Sequence, residues 1–142
     1  MKRTLRVFTD GTDWQEATAG GRPAVRISAG DLRQARQLAN RARAESPSGN
    51  GGIAVVLDVR VVVAETFRAA ARKLAATTRR DTPESVGYVG TVDGLAGLVR
   101  DVYAAGVADG VTLIPDTEGQ DVQALALAVI ARAKTEPVTA AG

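Results

Sequence analysis

The sequence contains no cysteine and no histidine. Without Cys it can form no disulfide, no thiolate metal site and no Cys nucleophile, a composition that suits the cytoplasm, where thiols stay reduced. The missing His removes the commonest side-chain general base and the commonest metal ligand, so neither a Ser/His/Asp triad nor an imidazole-bound metal is possible. Aromatic residues make up only 4%, too few for the stacking platforms that hold single-stranded nucleic acid. No apolar run approaches the roughly 18 residues that span a bilayer, and the start, MKRTLRVFTDGTDW, lacks the apolar region of a signal peptide. A cytoplasmic protein that binds neither membrane nor nucleic acid is expected.

An excess of charge of one sign is lacking too. Eighteen Lys and Arg face sixteen Asp and Glu, a formal net charge of +2, and most of the basic residues fall on helical segments, where a solvated outer face accounts for them. What the chain has in quantity is small aliphatic side chains: apolar residues make up 45%, mostly Ala, Val and Leu. At 142 residues this predicts one domain with a core of many small contacts and no need of staples.

Strand-like and helix-like segments alternate. TLRVF (4–8) reads as a short strand, followed by a polar loop, TDGTDWQEATAGGRP. AVRIS (24–28) alternates Val25 and Ile27 with Arg26 and Ser28, as a strand with one wetter face does. The helix after it carries Leu32, Ala35, Leu38, Ala39 and Ala42 on one side, and Ser28 three positions before Asp31 resembles a capping box. ESPSGNGG (45–52) is a turn-rich linker into IAVVLDVRVVV (53–63), whose two sides are both largely apolar, the mark of a strand covered on both faces. Within it Asp58 and Arg60 share one side, either as charges at a pocket rim or as an ion pair at an edge.

Glu65 and Thr66 open a helix with Phe67, Ala70, Ala71 and Leu74 inward, and DTPES (81–85) breaks it. VGYV (86–89) is a brief strand, Thr91 an N-cap, and Leu95, Leu98, Val99 and Val102 the buried stripe of the next helix. Gly106 ends that helix with positive φ, Asp109 and Gly110 turn the chain, and VTLIP (111–115) follows as a strand. Asp121 to Lys134 is the final helix, with Val122, Leu125, Ala126, Val129 and Ile130 inward, and residues 135–142 form a frayed tail. Trp14 reads as a cover over the core or a platform for a flat ligand. GNGG (49–52) lacks the Gly-Lys-Ser/Thr of a nucleotide-phosphate loop, and GLAGL (94–98) is helix interior. The pattern predicts right-handed βαβ units and a largely parallel α/β sheet, with four or five strands, too few for an eight-stranded barrel.

The segment YVGTVDGLAGLVRDVYAAGVADGVTLIP (88–115) resembles the C-terminal part of the bacterial luciferase-like, flavin-dependent monooxygenases, which close with a Gly-Thr capped helix, an AGVADG-type turn and a strand like FTLIP. RPAVRISAGDLRQARQLANRARAE and VVLDVRVVVAETFRAAARKL stand in the family's order before it, so the resemblance covers most of residues 22–130. It implies a partial TIM-barrel-like arrangement of parallel strands alternating with helices, truncated at the N-terminal side. It also implies a reduced flavin (FMN) or deazaflavin coenzyme at the C-terminal ends of the strands, its phosphate received at a helix N-terminus. The matching loop is Ser28, Ala29, Gly30 and Asp31. Asp31 stands where the family has Ser, and a carboxylate beside a phosphate costs on the order of 1 kcal/mol or more.

The N-terminal part of the barrel, which supplies most flavin-ring and substrate contacts in the family, has no counterpart here. The expectation is therefore a chain without independent catalysis, a structural or ligand-sensing module whose open strand edges are covered in a homodimer or by a complementing subunit. The alternative is a flavin- or deazaflavin-dependent oxidoreductase whose site a second chain completes.

Overall fold

The computed structural model describes residues 4–20, 23–46, 53–76, 85–117 and 119–135. The strands are β1 (Arg6–Asp10), β2 (Trp14–Glu16), β3 (Ala24–Ile27), β4 (Ala54–Val63), β5 (Val86–Gly90) and β6 (Gly110–Pro115). The helices are α1 (Leu32–Glu45), α2 (Phe67–Ala76), α3 (Val92–Ala104) and α4 (Val122–Thr135). They form a curled half-barrel sheet of mostly parallel strands alternating with helices. Its order is β2-β1-β6-β4-β3, with β5 paired to β4 beside that path.

Every pairing among β1, β3, β4, β5 and β6 is parallel, and only β2 runs against its neighbour β1. β4 is the hub: Val56–Val61 pair with β6, while Ala54–Leu57 take β3 and Val59–Val63 take β5. One flank of this long strand is therefore shared by two short ones. The last strand, β6, lies parallel beside the first, β1, as first and last strands do when a barrel closes.

Partners in a parallel ladder share a face, and alternate residues face opposite ways. Val7, Val55, Leu57, Val59, Val61, Val111 and Leu113 form the outer face, and all are fully buried. Against them lie Ala35 and Ala39 of α1, Leu95, Val99 and Val102 of α3, and Val122, Leu125 and Val129 of α4. The small aliphatic side chains of the sequence are thus its core, and β4 is covered on both faces as its composition requires, since Ala54, Val56 and Val62 of the other face are buried too.

Several chain punctuations act as the sequence implies. Thr91 caps α3, its Oγ1 accepting from Gly94 N at 3.3 Å, and Asp121 caps α4 through Ala124 N at 3.0 Å. Gly106 has φ 74°; with Gly106 N donating to Tyr103 O and Val107 N to Val102 O, both at 3.1 Å, α3 ends in a Schellman motif. Gly110 is required by a close approach: a Cβ there would lie 2.0 Å from the Arg6 carbonyl oxygen, which is backbone and cannot swing aside. Asp109 does more than turn the chain. Its Oδ2 accepts from Val55 N at 2.8 Å and lies 3.5 Å from Arg43 Nη2, while its carbonyl accepts from Arg6 N at 3.1 Å, so one residue ties β1, β4 and α1 at the N-terminal ends of the strands.

Four expectations need correction. The polar loop after β1 contains β2, paired antiparallel through Asp10↔Trp14, Thr9↔Gln15 and Phe8↔Glu16, with Gly11, Thr12 and Asp13 turning the chain, so the sheet has six strands among the described residues. The α1 cap is Asp31, not Ser28, because Asp31 Oδ1 accepts from Gln34 N at 2.8 Å and Gln34 answers through Oε1 to Gly30 N at 2.8 Å. Leu32 remains 37% exposed in the first turn of α1. Phe67 is 65% exposed, since α2 packs on β4 and β5 at the rim of the sheet and buries only Ala70. The linker after Ser46, most of DTPES and the tail from 136 lie outside the described residues.

Candidate functional site on the inner face

The other side of the sheet is the concave one, and it gathers nearly all the polar chemistry. By register, Arg6, Phe8 and Asp10 of β1, Trp14 and Glu16 of β2, Arg26 of β3, Asp58 and Arg60 of β4, and Thr112 of β6 point inward. The wetter side of AVRIS is therefore the inside of the half barrel.

Arg26 shows how far the sheet is curled. Its Nε donates to Asp58 Oδ1 at 2.7 Å and its Nη2 to Asp10 Oδ2 at 2.5 Å. Asp10 is on β1 and Arg26 on β3, with β6 and β4 between them, a separation of roughly 14 Å across a flat sheet. Side chains standing perpendicular to a flat sheet would not meet over that span. Curling brings the two strands round towards each other, and the arginine bridges the concavity as a chord.

A stack of four side chains runs beside this chord. The Arg6 guanidinium lies 5.5 Å from the Phe8 ring centre, Phe8 and Trp14 stack at 4.6 Å with planes 14° apart, and Arg26 lies 5.7 Å from the Trp14 ring centre. Trp14 Nε1 donates to Thr112 Oγ1 at 2.9 Å. Trp14 keeps 36% of its surface exposed, but one ring face meets Phe8 and a cation approaches the other. Trp14 therefore packs within the inner face, against Phe8, Arg26 and Thr112, and not over the aliphatic core.

At the lower end Arg6 grips Glu16 with both Nε and Nη2, at 2.7 and 2.8 Å, and Thr18 Oγ1 also donates to Glu16 at 2.5 Å. The Arg6 hydrogen bond, opposed by burial and helped by Thr18, holds the Glu16 carboxyl below its usual range, and the same bond raises Arg6. Asp58 behaves in the opposite way. Burial pushes its carboxyl up and the Asp10 charge adds to this, against the pull of Arg26. Arg26 itself loses hydration, yet two carboxylates outweigh that loss and raise it. Both directions follow from one arrangement, in which a single guanidinium is shared between two carboxylates and balances the charge of only one.

Asp58 and Arg60 share the inner face, as the sequence implies, but they do not pair with each other. Asp58 belongs to Arg26, whereas Arg60 Nη1 lies 3.6 Å from Asp116 Oδ2, beyond hydrogen-bond range. Arg60 Nε is buried and has no hydrogen-bond partner among the described residues.

The loop Ser28, Ala29, Gly30 and Asp31 lies at the C-terminal end of β3, leading into α1. Ser28 Oγ is 3.3 Å from Ser85 Oγ, Ala29 is fully buried, and the N–H groups of Gly30 and Gln34 are taken by Gln34 and Asp31 side chains. Among the described residues no cluster of three or more acidic side chains is placed to hold a metal ion, and no helix is long and apolar enough to cross a membrane.

No family model matches the chain, and no curated protein matches it. Among solved structures it is similar to EDTA monooxygenase (EmoA) from Chelativorans sp. BNC1, with a TM-score of 0.62 at 10% sequence identity, over 81% of this chain and 42% of that one. The chain thus spans less than half the length of that protein. At such identity the likeness shows the fold alone, and it supports the luciferase-like fold that the closing segment implied.

Proposed function

We propose that this luciferase-like half barrel has no catalysis of its own and serves as a structural or ligand-sensing module, working as a homodimer or with a complementing subunit. The observation that carries this reading is the inner face. Arg26 is held by Asp10 and Asp58, Arg6 by Glu16, and the Trp14 ring by Phe8, so the groups that could have met a coenzyme are engaged with one another. The loop at 28–31 favours the same reading. Its residues do not fit a phosphate, because Asp31 puts a carboxylate at the helix N-terminus and, with Gln34, occupies two of the N–H groups an anion would need. We therefore assign that loop the role of a helix cap and expect neither FMN nor a deazaflavin to be held there.

The partner is motivated by the sheet's end at β3, where Val25 stays 36% exposed, and by the exposed Leu32 in the first turn of the helix that follows. The absorbance spectrum of the purified protein, taken with its mass in solution, tests the proposal. A colourless dimer or hetero-complex is expected; a yellow monomer that oxidises substrate with reduced flavin would refute it.

A second reading draws on the fold likeness to a monooxygenase. Two chains, or this chain with a separate complement, would complete a pocket in which a flavin or deazaflavin supplies the redox chemistry and the protein supplies position and electrostatics. A strict monomer at micromolar concentration would leave this version without its second half.

A further inference from the structure

We infer that the Nε–Nη2 edge of Arg60 is the receptor for a carboxylate ligand, at the C-terminal half of β4 on the inner face. This rests on reading the chain as a ligand-sensing module, and it names the chemistry that would be sensed. The starting point is the contrast between three arginines of one concave surface. Arg6 closes its Nε–Nη2 edge on the two oxygens of Glu16, and Arg26 closes the same edge on Asp58 and Asp10. Arg60 turns Nη1 towards Asp116, loosely at 3.6 Å, and its buried Nε has no acceptor among the described residues.

A buried N–H with no partner costs about 1–3 kcal/mol, more when the group is charged, so such a donor marks a place where an acceptor is absent. The guanidinium edge offers two parallel N–H bonds, which match the two oxygens of a carboxylate. The protein itself displays that match at Arg6 and Glu16.

The surroundings narrow the class. Asp58 stands two residues before Arg60 on the same face of β4, Asp10 shares Arg26 with it, and Asp116 lies beside Nη1. With three carboxylates already near, a monoanionic carboxylate meets less repulsion than a dianionic phosphate. Access is from the rim: Arg60 is the one half-buried residue of β4, the others being buried, and Asp116 directly follows β6 at the C-terminal end of the strands, the end at which barrel folds receive ligands. Asp116 competes for the same guanidinium, and a bound carboxylate replaces that weak contact with two direct hydrogen bonds.

The test is a titration of the intact protein with benzoate, acetate and inorganic phosphate, followed by calorimetry and by the Arg60 Nε–H resonance in 15N NMR. Benzoate and acetate are expected to bind in the submillimolar to millimolar range and to shift that resonance, with phosphate weaker. Arg60→Met should abolish the effect and Arg60→Lys, which keeps the charge but loses the fork, should weaken it about tenfold. Asp116→Asn should tighten binding by removing the competitor, and this variant keeps the proposal falsifiable if Arg60→Met proves poorly folded. No shift with any of the anions at millimolar concentration, unchanged affinity in folded Arg60→Met, or weaker binding in Asp116→Asn would overturn the site. Stronger binding of phosphate than of the carboxylates would overturn the ligand class. Flavin binding or colour would instead strike the proposed function and leave Arg60 unaffected, so the two failures are separable.

Discussion

The two faces of this one sheet are built on opposite principles. Outside, Val7, Leu57, Val59, Val111 and Leu113 meet the helices through aliphatic contacts alone; inside, alternate residues of the same strands hold Arg6, Phe8, Asp10, Asp58 and Arg60. On the outer face stability comes from area removed from water and needs no particular partner. The inner face depends on pairing, and each charge there is tolerable only while its partner stays. The outer face should therefore lose stability in proportion to atoms deleted, and the inner face according to which half of a pair is left behind.

The largest effect belongs to the outer face. Leu57→Ala removes a fully buried side chain at the centre of the longest strand and should cost about 2–5 kcal/mol in urea unfolding. A cost below about 1 kcal/mol would mean that the helices relax into the space, and that the face is packed less tightly than its burial implies. Asp109→Ala comes next. It leaves Val55 N–H without its acceptor and Arg43 without its carboxylate, for an expected loss of about 1–3 kcal/mol. Asp109→Asn, which keeps one oxygen, should recover part of it.

The outer face is also the part the sequence makes legible. Period-2 apolar positions in β4 and period-3.6 positions in α3 and α4 are local patterns, and Thr91 and Gly106 announce helix ends by chemistry that acts within a few residues. The inner face is not local. Arg26 is 16 residues from Asp10 and 32 from Asp58, and nothing in AVRIS says that the sheet will curl enough for them to meet. Asp58 and Arg60 are alternate residues and invite pairing on paper, but Asp58 is bound by Arg26 of another strand, and Arg60 turns loosely towards Asp116 after β6. Ser28 and Asp31 show the same limit on a smaller scale: both are capping residues, and only the backbone decides which one stands at the first turn. Phe67 looks inward by period because period cannot say where the sheet stops.

Arg26→Met sharpens the contrast by leaving half a network in place. Asp58 and Asp10 would lose their shared cation, and an expected cost of about 1–3 kcal/mol reflects the stranded Asp58 more than the lost bonds. Adding Asp58→Asn should restore much of that loss, so that the double variant is more stable than Arg26→Met alone. If the double variant is instead the least stable of the set, the inner face is held by packing of the arginine stem, and the charges are secondary.

The smallest effect is the dependence on acid, where two carboxylates of the same face should act against each other. Glu16 is held below its ordinary range by Arg6. Its contribution is present above the unfolded value and is lost as pH falls through the folded one. Asp58 is raised by burial, so its charged form weighs against the fold at neutral pH; the fold gains, relative to neutral pH, as Asp58 takes up its proton on the way down. Glu16→Gln should consequently be less stable than the parent at neutral pH, with a deficit that closes as the solution is acidified below the ordinary carboxylate range. Asp58→Asn removes the acid-side gain, so its stability relative to the parent should fall over the higher interval in which Asp58 protonates. Urea midpoints measured from neutral pH down to the acid limit would show the two difference curves bending in opposite directions for Glu16 and Asp58. Parallel curves would mean that Arg26 more than offsets burial at Asp58, and that the inner face responds to acid as a single set of ion pairs.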